Sequence, residues 1–354
     1  MPSRRSLVIG VGLTAAAALI YSVLKAASKR LMDDCIQVLD WLAWRHERLS
    51  AYEPPSSPLE AQQRRQQQAP SDVKVDALVV HGCSMVAVPL GAADLFVDVL
   101  HPAGCHDVVL TGGVGRETPP LWDELAKRNM TALFGWCTAP WQCGSPPDSV
   151  TLPSQGGLRK DVLKTVDLEM DAAALRRFCT EADIFLELFV ARCRERGLPV
   201  SFGGNPNADG CGTKLAGPRV FLETASTHTG TNVEFSRLTL AKLGLGGVAP
   251  TVAVVQQPAL QRRTCLTWEK QTGVQPVGWT VRPTESSLGR SAAELLNYAL
   301  GEMRRIPAYA AADKAFCVMP HDFPHHLMPS LIAYEPALTA ALEIEKKAKA
   351  AGRR

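Results

Sequence analysis

Residues 219–232 read RVFLETASTHTGTN. RVFLE is a short apolar run of the kind that fills a buried strand, and it stops on an acid, Glu223. Small and hydroxyl-bearing residues, a histidine and Asn232 follow, and five of residues 221–232 are Ser or Thr. A plain turn needs one or two polar residues, so this density asks for a further purpose. From Asn232 the chain reads NVEFSRLTLAKLG (232–244), a helix that closes on Gly244. The local pattern is strand, polar loop, helix.

The pattern recurs along the chain. DALVV (76–80) meets HGCS, and a helix is predicted over about 91–100. DVVL (107–110) meets TGGVG. TEADIFLELFVARCRERG (180–197) has strong helical spacing. TVAVV (251–255) meets QQPALQRR, with a helix over about 263–271. Short continuous apolar runs alternating with helices predict an α/β fold, a Rossmann-like parallel sheet with helices on both faces.

In such a sheet, ligands bind outside the carboxyl ends of the strands. HGCS, TGGVG, ETASTHTGTN and QQPALQRR all fall on that edge. The hydroxyls of Ser226, Thr227, Thr229 and Thr231 can donate and accept, and Glu223 can accept from a ribose or an amine. Each feature also has a plain structural reading. TGGVG lacks the GxGxxG dinucleotide spacing and serves equally as a tight turn. Thr231 or Asn232 can simply cap a helix, Glu223 can pair with Arg262 or Arg263, and Glu181 can be a solvated helix residue. HDFPHH (321–326), with a proline inside it, reads as a surface loop rather than a metal site.

Before the sheet, MPSRR precedes an uncharged apolar span, Leu7 to Leu24. As a helix it would be roughly 27 Å long, near the ~30 Å of a bilayer core. We read residues 1–30 as a single-pass N-terminal transmembrane helix. A cleaved signal peptide, a mitochondrial presequence and a buried core helix are the competing readings, and the membrane itself stays open. An amphipathic helix is expected within 31–52 and a disordered Pro-, Ser- and Gln-rich linker over 53–72. The α/β domain is expected over 73–320, with insertions near 117–175 and 201–217, then a tail over 321–354 carrying a charged helix. The net charge of +3 is spread out, with no basic stripe bearing interleaved aromatics, so no nucleic-acid partner is expected. The ten cysteines form no CxxC pair and read as mostly buried, reduced thiols.

The order LVVHG, LTGGVG, TEADIF, LETASTHTGTNVEFS, VVQQPALQRRT, ALGEMRRIPAY resembles the YdcF-like and SanA-like family, domain of unknown function 218, over about residues 76–310. The resemblance implies a Rossmann-like fold and S-adenosylmethionine as ligand, with no reaction established. By motif it nominates Gly112, Gly113, Gly115, Glu181, Glu223, Ser226, Thr229, Asn232, Arg262 and Arg263. His228 and Thr231 stand where that family commonly has Asn and Glu. Ala259 and Leu260 replace a frequent aromatic and His, which puts turnover in doubt. The reading is a membrane-anchored protein binding S-adenosylmethionine or a nucleotide-like small molecule, in its enzymatic form a transferase. An envelope or glycolipid enzyme acting on a phosphate-bearing substrate and a non-catalytic membrane scaffold are the alternatives.

Overall fold

Six short strands form one all-parallel sheet in a computed structural model that describes residues 29–55, 57, 60, 73–114, 117–130, 180–204, 217–245, 250–282, 292–311 and 316–352. The predicted membrane anchor, most of the linker, Gly115 and the bulk of both insertions lie outside the described residues. Among the described residues no helix is long and apolar enough to cross a membrane.

The strands are β1 (Ala77–His81), β2 (Asp107–Thr111), β3 (Ser201–Gly204), β4 (Arg219–Glu223), β5 (Val252–Val255) and β6 (Val277–Trp279), in the spatial order β3-β4-β2-β1-β5-β6. The four runs identified in the sequence are the four central strands, each within a residue of its expected bounds. The two edge strands were not foreseen. β3 lies inside the stretch expected as an insertion at 201–217, and β6 has only three residues.

Continuous apolar runs are required here because side chains alternate between two covered faces. Leu78, Val80, Val108, Leu110, Val220 and Leu222 face one core. It is closed by helix α2 (Ala87–Leu95) and helix α4 (Glu181–Glu195), which adds Phe185 and Phe189; helix α3 (Thr118–Lys127) contributes Leu121 and Leu125. Ala77, Val79, Val109, Val252 and Val254 face the other core with Val233 and Leu240 of α5 (Thr229–Leu240) and Cys265 and Trp268 of α6 (Pro258–Thr272). Each fully buried large side chain contributes about 1.5–3 kcal/mol.

A third layer lies over α6. Val38 and Leu42 of α1 (Lys29–Leu42) pack with Leu266, with Ala299, Leu300, Met303 and Ile306 of α7 (Ala292–Ala311), and with Phe323, Leu327 and Leu331. Leu331 opens α8 (Met328–Gly352). This corrects two expected boundaries. Phe323, Leu327 and Leu331 of the expected tail are packed core, and residues 53–55, expected in the linker, are held by packing and ion pairs. Glu53 pairs at 2.5 Å with both Arg45 and Arg282, and Pro55 is buried. The five described free cysteines, Cys83, Cys105, Cys193, Cys265 and Cys317, are all buried, as expected.

Candidate functional site

The carboxyl edge is built from backbone first. At the end of β2 the chain turns through Gly112, whose φ of +135° is open to glycine at little strain. The Gly112 amide donates to the Glu223 carbonyl at 2.9 Å, and the Gly113 amide donates to the Ser226 carbonyl at 2.7 Å. In return the Gly113 and Gly112 carbonyls accept from the amides of Glu181 and Ala182 at 3.0 and 2.9 Å. The two glycines therefore tie the loop after β4 to the start of α4. Their amides are already engaged.

Glu223 resolves in the same way. It is fully buried, and its Oε1 accepts from the amides of Ala225 and Ser226 at 2.6 and 3.0 Å. The acid after the strand bends back to shape its own loop rather than pairing with an arginine. Burial pushes its pKa up, against the pull of the hydrogen bonds from that loop. Thr231 is also locally engaged. Its Oγ1 accepts from the Thr227 amide at 3.1 Å and donates to the His228 carbonyl at 2.9 Å. The helix cap is His228, whose Nδ1 accepts from the Thr231 amide at 3.3 Å.

The remaining loop side chains turn inward. Ser226, Thr229 and Asn232 are buried and line a cavity of about 290 Å³ at the strand ends. That is near the lower end of ordinary ligand pockets, roughly 300–1,000 Å³. Asn232 is 6% exposed, and its Oδ1 has no hydrogen-bond partner among the described residues. Gly82 after β1 and Gln256 after β5 complete the sheet side of the wall.

Glu181 lines the cavity as the first residue of α4. A reciprocal cap fixes that helix start: the Thr180 amide donates to Asp183 Oδ2 at 2.9 Å, and the Asp183 amide to Thr180 Oγ1 at 3.2 Å. Glu181 Oε1 accepts from Thr118 Oγ1 at 2.8 Å. Oε2 lies over Gly82 and Gly112, where added Cβ atoms would sit 2.3 and 3.0 Å from it. Burial pushes the Glu181 pKa up to about 8; Thr118 works against this and the charge of Glu117 adds to it.

The far wall is α7. Tyr298, Glu302, Arg305 and Tyr309 line the cavity. Glu302 accepts from Arg263 Nε and Nη2, the latter at 3.2 Å, and from Arg305 Nη1 at 2.8 Å. Glu117 also lines the cavity, accepting from Tyr298 at 2.7 Å and Ser84 at 2.5 Å.

Of the nominated residues, the structure thus brings Glu181, Ser226, Thr229, Asn232 and Arg263 together. Gly112, Gly113 and Glu223 stand behind the wall and shape it. Arg262 is elsewhere: it pairs with Asp322, and its guanidinium lies 5.3 and 5.1 Å from the rings of Trp41 and Trp44. It joins α6 to the third layer. Glu117, Gln256 and the α7 residues were not foreseen. The α7 signal was present, since 298, 302, 305 and 309 recur at steps of four, three and four, one helical stripe beside the apolar one. Among the described residues no three His, Cys, Asp or Glu side chains group to hold a metal, and His321, His325 and His326 are exposed. No family model and no curated protein matches this chain.

Proposed function

We propose that the cavity binds S-adenosylmethionine or a nucleotide-like ligand, and that the chain is a membrane-anchored relative of the YdcF-like and SanA-like proteins, as a transferase in its enzymatic form. One observation carries the ligand reading: Asn232, nearly fully buried, lines a polar cavity, and its Oδ1 has no hydrogen-bond partner among the described residues. A buried polar group without a partner costs about 1–3 kcal/mol, and a ligand donor would relieve that cost. The composition of the wall supports the same reading. Glu117 and Glu302 offer acceptors for ribose hydroxyls and an ammonium, and Arg305 offers donors for a carboxylate. A phosphate-bearing substrate has less support. The amides of Gly112 and Gly113 are engaged, and Arg262 is paired away from the cavity.

Titration calorimetry and melting curves on the full-length chain with S-adenosylmethionine, ATP and UDP-glucose test this. S-adenosylmethionine is expected to bind and raise the melting temperature. Asn232→Ala is expected to weaken binding roughly tenfold to hundredfold, the size of a lost hydrogen bond to a charged group, about 1.5–3 kcal/mol. Its melting temperature should barely move, because the Asn232 amide, not the side chain, bonds to the helix, donating to the His228 carbonyl at 2.9 Å. No response to any of the three compounds would leave the scaffold reading.

The anchor has its own test, motivated by the uncharged span Leu7 to Leu24. Full-length protein is expected to stay in the pellet after alkaline carbonate extraction. A chain beginning at Lys29 keeps α1, which the third layer needs, and is expected in the supernatant. Full-length protein in the supernatant overturns the anchor.

A further inference from the structure

Glu181 is an acid in an unusual position. It is 6% exposed, it lines the cavity, and among the described residues no basic side chain pairs with it. Buried carboxylates ordinarily have a cation or several donors. Among the described residues this one has a single hydroxyl, Thr118, on Oε1. The fold nonetheless makes room for it from two strand ends. Gly82 follows β1 and Gly112 follows β2, and a Cβ at either would collide with the Glu181 side chain.

Among the described residues no charge compensates it. Cys83 after β1 is a buried thiol. Glu117, just before α3, is a second carboxylate in the same cavity, and Glu124, further along α3, pairs with Arg128 at 2.8 Å. From α6 comes Arg263, and from α7 come Glu302 and Arg305, where Glu302 accepts from both arginines. Two arginines thus meet the one carboxylate of Glu302, and among the described residues the charge that acts on Glu181 is the negative one of Glu117.

We infer that the cavity selects a ligand with a cationic centre, and that Glu181 gives up its proton when that cation arrives, so that capture is coupled to proton release. The inference rests on reading the cavity as an S-adenosylmethionine or nucleotide-like site. The step balances: the O–H bond of the Glu181 carboxyl breaks, its electron pair stays on the carboxylate oxygen, and the proton leaves to solvent. The incoming positive charge then supplies the partner that the carboxylate lacks. In the free protein, a pKa of about 8 keeps the carboxyl mostly protonated at pH 7, so a proton is there to be released.

The experiment is titration calorimetry of the full-length chain at pH 7 in buffers of different ionisation enthalpy. The probes are S-adenosylmethionine and S-adenosylhomocysteine: both carry an α-ammonium and a carboxylate, and only the first carries a sulfonium, the cationic centre assigned to Glu181. The expected result is release of close to one proton with the sulfonium compound, shrinking at pH 9, and little release with the thioether. Glu181→Gln, which keeps the size and can still accept from Thr118, should abolish the release and weaken sulfonium binding at least tenfold, with thioether binding unchanged. Sulfonium binding without proton release, or release that persists in Glu181→Gln, overturns the inference while leaving the binding site intact. Absence of any heat or melting shift with both probes overturns the binding reading itself, and this inference with it.

Discussion

Arg196→Met is expected to destabilise the chain by about 3–5 kcal/mol, the usual cost of leaving a buried charge without its partner. Arg196 follows α4 and is 4% exposed. Its Nη1 donates to Asp94 of α2, and its Nη2 donates to Asp98 at 2.6 Å. Asp94 also holds Arg192 at 2.9 and 3.1 Å, and Asp98 accepts from the Tyr52 hydroxyl at 3.0 Å. This network fastens α2 to α4 and to the segment ahead of the sheet. Without Arg196, Asp94 keeps a cation but Asp98 does not, and the Asp98 side chain is 2% exposed. For a domain of this size the loss corresponds to roughly 6–20 °C in melting temperature.

The pH dependence gives the sign. A buried carboxyl without a cation has a folded pKa above its unfolded one, and burial pushes even the paired Asp94 in that direction. The folded state then binds more protons, so the contribution to stability falls as pH rises through that range. The deficit of Arg196→Met should therefore be larger at pH 7 than at pH 4.5. Adding Asp98→Asn removes the charge, keeps an acceptor for Tyr52, and should recover much of the loss. A melting temperature within 2 °C of the parent at pH 7, read by calorimetry, would make the network a minor one.

The sequence revealed the parts of the fold that rest on periodicity. The four central strands are buried on both faces and so carry unbroken apolar runs, which can be read without a structure. The edge strands carry no such run. Ser201–Gly204 contains two glycines, and Val277–Trp279 is too short to show a pattern. The site was legible where the chain concentrates polar residues after a strand, and less so where one residue type serves two purposes. Ser226, Thr229 and Asn232 face the cavity, whereas Thr231 and Glu223 shape the loop itself, and only the hydrogen bonds separate them. Arg262 and Arg263 are adjacent, so helical geometry turns them some 100° apart. One meets the cavity and the other the tryptophans of α1. The α7 wall was missed because its residues lie far along the chain, and no strand-end rule points to them.

Gly113→Ala is expected to weaken ligand binding strongly. Its Cβ would sit 2.7 Å from the Ser226 carbonyl oxygen and 2.7 Å from that of Thr224. Both are backbone atoms, so no flexible side chain can yield, and the loop itself must move. Overpacking of this kind costs about 1–3 kcal/mol, or roughly 2–12 °C. The larger effect is on the site. The loop held by the Gly113 amide carries Ser226 into the cavity and leads directly to Thr229 and Asn232. Displacing it misplaces three cavity-lining side chains together, and a loss of about a hundredfold in S-adenosylmethionine affinity follows if two hydrogen bonds of about 1.5 kcal/mol fail. Gly104→Ala is the control. It stands at φ +97° with open space around its Cβ position, so it brings backbone strain of about 1–2 kcal/mol at a turn before β2, with no contact to the loop. The two variants should lose comparable stability, and only Gly113→Ala should lose affinity. Equal affinities in calorimetry would mean that the loop's position does not govern the cavity, and the assignment of Ser226, Thr229 and Asn232 to a ligand would fall with it.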